Sequence, residues 1–201
     1  GKSTLVLALF RLVGFSAGSV RLGGVEAALV GLDAWRRQLA VIPQDPVLFS
    51  GWALREQLDP VGARSDAELV AALAEAQLAE VVGAAGLDAP LAGLSVGQRQ
   101  LLCLCRALLA RCRVLSLDEA TANVDRATDK LVQSALRTLD CTRLVIAHRV
   151  DTVLDSDRVC VLDDGRVLEQ GVPAQLRKDS PAGAFAKILK SANASHTFHR
   201  P

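Results

Sequence analysis

Short apolar runs, which alternate with segments of helical periodicity, constrain the fold of this chain most. The runs occupy residues 39–42, 114–117, 144–147 and 159–162. Between them, leucine and alanine recur at the spacing of one helix face. Strands that alternate with helices favour a parallel sheet covered by helices on both faces. We therefore expect an α/β fold built on a parallel sheet.

Polar side chains follow three of the predicted strands. Gln44 follows the first strand, Asp118 and Glu119 end the second, and His148 follows the third. Ligands of open α/β sheets bind at the carboxyl ends of the strands. The sequence therefore predicts that these four residues belong to one chemical site.

The region between the first two strands is rich in alanine, leucine and glutamate. Ser65 and Glu68 have the spacing of a capping box, which predicts a helix from Ser65 through residue 82. We expect the 201 residues to form a single domain with an inserted helical lobe. The predicted parts are a core of residues 1–45 and 112–190, a lobe of residues 46–111 and a tail of residues 191–201.

Two glycine-containing dipeptides predict tight hairpins. Gly23-Gly24 lies between short apolar segments, and Asp164-Gly165 separates residues 159–162 from residues 167–168. Both are turn sequences that tolerate the backbone conformations of two-residue hairpin loops.

Composition excludes several classes of function. The formal net charge is +1 and aromatic residues make up 3% of the chain, so neither a basic surface nor a set of stacking rings for nucleic acid is expected. No apolar run approaches the roughly 20 residues that a membrane-spanning helix needs. Any association with a membrane is therefore expected to depend on other segments or partners.

The first four residues, Gly1-Lys2-Ser3-Thr4, open a segment of helical periodicity that extends to residue 12. They match the end of a phosphate-binding loop, in which backbone amides at a helix start attract phosphate oxygens. In such loops the lysine neutralises phosphate charge and the hydroxyl after it binds Mg²⁺. Four residues are a weak signal alone, and an exposed polar helix start is the alternative.

The apolar run 114–117 ends in two adjacent carboxylates. Neighbouring residues of a strand point to opposite faces, so Asp118 and Glu119 are expected to have different tasks. Asp118 suits Mg²⁺ binding, and Glu119 suits polarising an attacking water. A strand that ends in a solvated acidic pair is the alternative.

A third motif, Leu94-Ser95-Val96-Gly97-Gln98-Arg99-Gln100, precedes a leucine-rich helix. Ser95 and Gly97 lie at the predicted helix start, where free amides and the helix dipole favour an anion. A simple helix cap is the alternative function of this motif.

The order of the motifs identifies a family resemblance. GKST, Gln44 in VIPQDPVLFSG, LSVGQRQ, LSLDEAT, Asp125 in TANVD and His148 in VIAHR follow one another along the chain. This order resembles the nucleotide-binding domain of ABC transporters, in particular the second domain of the multidrug-resistance-associated subfamily C. The resemblance implies a P-loop NTPase fold of the RecA-like type with an inserted helical subdomain. It also implies that the chain is truncated at its N-terminus, within the phosphate-binding loop.

The resemblance also implies a role for each motif residue. The cofactors would be ATP and Mg²⁺, with Gln44, Glu119 and His148 as catalytic residues. Mg²⁺ would be bound by Ser3, Gln44 and Asp118. The residues expected to contact nucleotide are Gly1, Lys2, Ser3, Thr4, Ser95, Val96, Gly97, Gln98 and Asp125.

The partners implied are a second nucleotide-binding domain, which pairs head to tail and belongs to the same polypeptide, and transmembrane domains that hold the chain at the cytoplasmic face of a membrane. No nucleic acid partner is expected. The complete protein would be an ATP-driven efflux transporter, whereas this chain alone would hydrolyse ATP weakly or not at all. The alternatives are a nucleotide-regulated module of a channel, a product too short to function, and an ATPase of DNA repair or chromosome structure. The last class inserts a long coiled coil where this chain has about fifty residues without heptads.

Overall fold

A computed structural model describes residues 1–82, 86–91, 93–118, 126–146 and 150–197. The chain divides into two compact units. The smaller unit comprises residues 1–13 and 146–201, and the larger unit comprises residues 14–145. The division into core, lobe and tail that the sequence predicts stays a prediction.

The elements are numbered along the chain. The strands are β1 Arg21–Leu22, β2 Val25–Glu26, β3 Leu39–Ile42, β4 Val114–Asp118, β5 Thr142–Ile146, β6 Val159–Asp163 and β7 Arg166–Gly171. The helices are α1 Lys2–Leu9, α2 Leu32–Arg36, α3 Leu54–Leu58, α4 Asp66–Glu75, α5 Ala79–Val82, α6 Val96–Ala110, α7 Arg126–Thr138, α8 Val150–Leu154, α9 Pro173–Asp179 and α10 Ala184–Thr197. A single 3₁₀ turn, Ala27–Leu29, follows β2.

The central sheet has the strand order β3-β4-β5. Strands β3 and β4 are parallel, with Leu39 opposite Val114 and Ile42 opposite Leu117. The first four residues of β4 are all buried, as expected for a strand covered on both faces. Helix α6 packs against β3 and α4, and its leucines lie in the same core cluster as Ile42 and Leu115. The expectation of a parallel sheet is confirmed for β3 and β4.

Both predicted hairpins form. Strands β1 and β2 are antiparallel, and the turn residues Gly23 and Gly24 have φ of 57° and 81°. Strands β6 and β7 are antiparallel around Asp164 and Gly165, with φ of 44° and 72°. Two successive positive φ angles match the right-handed twist of the flanking strands. Among the described residues, β6 pairs with β7 and not with a strand of the central sheet.

Two helices end earlier than their periodicity predicts. Helix α1 stops at Leu9 instead of residue 12, and the helix predicted from Ser65 through residue 82 is split into α4 and α5. In both cases the chain turns at a left-handed residue, Arg11 (φ 54°) and Gln77 (φ 56°). The following N–H then bonds back across the last turn, from Leu12 to the Leu7 carbonyl and from Leu78 to the Leu73 carbonyl. Each end is a Schellman cap built without glycine.

The C-terminal part belongs to the smaller unit. Helix α10 extends to Thr197, so residues 191–197 of the predicted tail are helical. The carboxylate of Glu169 in β7 accepts hydrogen bonds from the Ala184 and Phe185 amides at the start of α10, at 3.2 and 2.8 Å. Phe185 is buried together with Val161 and Leu189. Among the described residues, no helix is long and apolar enough to cross a membrane.

Candidate functional site

Gln44 and Asp118 lie at the same edge of the central sheet. Ile42 and Leu117 are register partners in parallel strands. Asp118 is the next residue of β4, and Gln44 comes two residues after the end of β3. Gln44 is exposed and Asp118 is half-buried. The parallel register thus brings an amide and a carboxylate, both of which offer oxygen ligands, to the carboxyl edge that the sequence indicated.

The start of α6 is built as the sequence motif requires. Ser95 caps the helix, since its Oγ accepts the Gln98 N–H at 3.1 Å while Gln98 Oε1 accepts the Ser95 N–H at 2.9 Å. This is a capping box of the form S-x-x-Q. The sequence pattern contains it, although sequence reasoning assigned a capping box only to Ser65. Ser95 and Val96 are exposed, so this helix start is accessible from solvent.

Gly97 lies in the first turn of α6 and permits a close helix–helix approach. A Cβ at this position would lie 3.1 Å from Thr128 Oγ1 and 3.4 Å from Thr128 Cγ2 on α7. The 3.1 Å distance is shorter than ordinary van der Waals contact, so an alanine would fit only if Thr128 moved by a few tenths of an ångström. The glycine of the motif therefore has a packing role between α6 and α7.

Gly1, Lys2, Ser3 and Thr4 belong to the smaller unit, where they form the start of α1. Gly1 is the N-cap, its carbonyl accepts the Leu5 N–H at 3.1 Å, and all four residues are exposed. The first N–H groups of a helix have no intrahelical partner. The helix start predicted from GKST is confirmed, and its free N–H groups can donate hydrogen bonds to an anion.

Helix α6 also contacts the segment that carries Gln44. Gln100, which is 1% exposed, donates from Nε2 to the Pro43 carbonyl at 3.2 Å. Gln57 accepts a hydrogen bond from the Phe49 N–H, and Arg106 donates one to the Val47 carbonyl, both a few residues after Gln44. Sequence reasoning missed these three residues as parts of the site. Only their polar character within apolar helical segments could have drawn attention to them.

Three of the predicted site residues, Glu119, Asp125 and His148, lie outside the described residues. Their roles stay predictions from the sequence. Ser95, Val96, Gly97 and Gln98 share the larger unit with Gln44 and Asp118.

Comparison with known proteins gives a consistent result. A family model described as ABC transporter matches residues 1–122. The mouse (Mus musculus) ATP-binding cassette sub-family C member 10 is 49% identical over an alignment of 199 positions, which covers 96% of this chain and 13% of that protein. A probable multidrug resistance-associated protein of Drosophila melanogaster, lethal(2)03659, is 46% identical over an alignment of 205 positions, which covers 98% of this chain and 15% of that protein. The chain thus spans about an eighth of the length of these relatives.

A solved structure has a similar fold. It is a bacterial Atm1-family ABC exporter with ATP bound, which superposes with a TM-score of 0.82 at 31% sequence identity. The match covers 95% of this chain and 35% of that chain.

Proposed function

This chain belongs to the ABC transporter family, and we propose that it is the ATP-hydrolysing domain that powers an efflux transporter of the multidrug-resistance-associated type. One observation supports this proposal most. The parallel register of β3 and β4 places Gln44 and Asp118 at one sheet edge, where the resemblance assigns them to Mg²⁺ and the reacting phosphate. Substrate translocation itself would be carried out by the much longer remainder of the protein.

The residues at the sheet edge fit a magnesium nucleotide. Mg²⁺ prefers oxygen ligands and retains several waters when bound with ATP phosphates. Asp118 offers a carboxylate and Gln44 an amide oxygen, and the motif GKST makes Ser3 the third proposed ligand. When bound, the ion would neutralise the charge that develops on the phosphates.

The start of α1 is proposed to hold the phosphates. Its free amides and the positive end of its dipole attract an anion, and Lys2 adds a full positive charge. Gly1 and Thr4 belong to the same first turn of the helix. All of these groups are exposed and available to a ligand from solvent.

The hydrolytic step is proposed for residues that the sequence motifs indicate. Glu119 would orient and polarise the attacking water, and His148 would donate a hydrogen bond to the γ-phosphate. Asp125 would contact the paired domain. These assignments are supported by the motifs LSLDEAT, TANVD and VIAHR.

A second nucleotide-binding domain is the proposed partner, paired head to tail. The start of α6, residues 95–98, would then complete the ATP site of that partner. Ser95 and Val96 are exposed, as a surface that meets a partner requires. Transmembrane domains of the same transporter would hold this domain at the cytoplasmic face of the membrane.

The test is steady-state ATP hydrolysis by the complete polypeptide that contains this chain. Asp118→Asn removes a carboxylate from the sheet edge and is expected to lower the rate by at least about tenfold, a typical loss when a metal site is perturbed. Asp163→Asn is the matched control, because Asp163 also ends a strand but is exposed at the β6–β7 hairpin. Equal rates for the two variants would contradict the proposed site. Tight binding of ATP without turnover in the wild type would favour a nucleotide-regulated channel module instead.

A further inference from the structure

The segment from Pro43 to Phe49 carries Gln44 and is bound to two helices by side chains. We propose that Gln57, Gln100 and Arg106 are positioning residues, which fix the backbone around Gln44 and make its location depend on helix α6. This proposal rests on the function proposed above for Gln44.

Gln57 on α3 binds Phe49 in the way a neighbouring strand would. Its Oε1 accepts the Phe49 N–H at 3.1 Å, and its Nε2 donates to the Phe49 carbonyl. Gln57 is 3% exposed, so the side-chain amide itself is buried. The orientation of the amide is determined by its partners, because both groups that approach Oε1, the Phe49 N–H and the Arg106 guanidinium, can only donate.

Arg106 on α6 connects the same segment to the helix. Its guanidinium donates from Nε to the Gln57 carbonyl at 2.6 Å and from one terminal nitrogen to Gln57 Oε1 at 2.9 Å. The other terminal nitrogen donates to the Val47 carbonyl at 2.7 Å. One planar cation thus satisfies three acceptors. Hydrogen bonds from a charged donor are stronger than neutral ones, and lysine cannot reproduce this fork.

Gln100 provides a second connection on the other side of Gln44. It lies on the same helix as Arg106, six residues earlier, and donates to the Pro43 carbonyl at 3.2 Å. Six residues of helix correspond to about 9 Å along the axis. Pro43 and Val47 are therefore held at two points of one rigid helix, and only three residues lie between them.

This arrangement restricts the movement of Gln44. A displacement of its backbone by a large distance would break the bond at Pro43 or at Val47. Loss of the bond at Pro43 would leave the buried amide of Gln100 without this partner, which is unfavourable. The N-terminus of α6, five residues before Gln100, carries the capped start at Ser95. A rotation of α6 would therefore move Ser95 and Gln44 together, and Gln44 would respond to whatever contacts the helix start.

The experiment is a double-mutant cycle of ATP hydrolysis in the complete polypeptide, with Gln44→Ala, Arg106→Lys and their combination. Arg106→Lys keeps the charge and removes the fork. We expect kcat to fall by about 10- to 100-fold, the range that a small misplacement of a reacting group produces. The KM for MgATP should change less than kcat, because Lys2 and the start of α1, which are proposed to hold the phosphates, are unchanged. Arg111→Lys is the matched control, since Arg111 lies just beyond the same helix and binds Glu68 at the surface.

The combined variant distinguishes positioning from general stability. If Arg106 acts through Gln44, Gln44→Ala with Arg106→Lys hydrolyses ATP as slowly as Gln44→Ala alone. Multiplied losses in the combined variant, or an Arg106→Lys enzyme with wild-type kcat, would overturn the proposal. A wild-type rate for Gln44→Ala would instead show that the proposed function of Gln44 is wrong.

A second variant distinguishes a loss of positioning from misfolding. Gln100→Leu has a similar shape and removes only the bond to Pro43. It is expected to lower kcat in the same direction and to be equally non-additive with Gln44→Ala. Amide hydrogen exchange at Leu102 and Leu104, which are fully buried in α6, should remain slow in this variant. Additive losses with Gln44→Ala while that protection is retained would contradict the positioning role.

Discussion

Removal of the Ser95 hydroxyl tests the capped start of α6 against a matched site in the same unit. Ser95→Ala deletes the oxygen that accepts the Gln98 N–H at 3.1 Å, and Ser65→Ala deletes the equivalent acceptor for the Glu68 N–H at 3.4 Å. Loss of such a cap costs about 1 kcal/mol of stability. With a urea m-value of roughly 2 kcal/mol/M, the midpoint of unfolding falls by about 0.5 M for each variant.

The assay is urea unfolding of this chain followed by tryptophan fluorescence. Trp35 and Trp52 both lie in the larger unit, as do the two serines, and Trp35 is 2% exposed. The signal therefore reports the unit that contains both caps. An unchanged midpoint for Ser95→Ala, with a lowered midpoint for Ser65→Ala, would show that the Ser95 hydroxyl does not cap α6 in solution.

Three further predictions concern single buried or paired groups. Ser116, fully buried in β4, has a hydroxyl with no hydrogen-bond partner among the described residues, so Ser116→Ala should raise the free energy of unfolding by about 1 kcal/mol in thermal melts; a loss of stability would contradict this. Backbone and side-chain hydrogen bonds from Ser65 hold the pKa of Glu68 below its ordinary value. Their contribution is present above pH 4.5 and is lost as the pH falls through the lowered pKa, so Glu68→Gln should flatten the stability profile below pH 4.5, and an unchanged slope would refute the assignment. Burial raises the pKa of the Cys112 thiol to about 11, so iodoacetamide at neutral pH should label exposed Cys160 long before Cys112 by mass spectrometry; equal rates would contradict the burial.

Two strands of the central sheet and two hairpin turns followed directly from local sequence. The apolar run 114–117 is entirely buried in the central strand β4, whereas β3 buries Leu39 and Ile42 and exposes Val41. The structure places strands at both apolar runs, with a parallel register. Gly23-Gly24 and Asp164-Gly165 tolerate positive φ, and both form the predicted hairpins. In these strands and turns a single local preference, for an apolar strand or for a positive φ, determines the backbone conformation.

The helix ends were predicted less well because their caps lack the usual residue. Glycine normally takes the left-handed position of a Schellman cap, whereas Arg11 and Gln77 take it here. Nothing in either side chain indicates a stop. The conformation is stabilised by the returning N–H groups of Leu12 and Leu78 and by burial of Leu78, which depend on tertiary packing.

The candidate site likewise combines positions that the local sequence predicts with contacts that depend on tertiary packing. Gln44 and Asp118 were predicted from their positions after apolar runs, since strand ends of parallel sheets share an edge. The hydrogen bonds of Arg106 to Gln57 and Val47 join residues 49 and 59 positions apart. No local pattern specifies such pairs, because they arise only when α6 and α3 pack together. The family resemblance, the ATP-binding role and the fold class are confirmed by the relatives and by the solved exporter structure.

The measurement that tests the central claim most directly is ATP turnover by the complete polypeptide with Glu119→Gln. This change keeps the size and hydrogen-bonding capacity of the side chain and removes the carboxylate proposed to polarise the attacking water. If this domain hydrolyses ATP as proposed, the variant retains MgATP binding and loses turnover by about 100-fold or more, the contribution typical of a general base. Wild-type turnover in the variant would contradict the claim that this chain contributes the hydrolytic carboxylate.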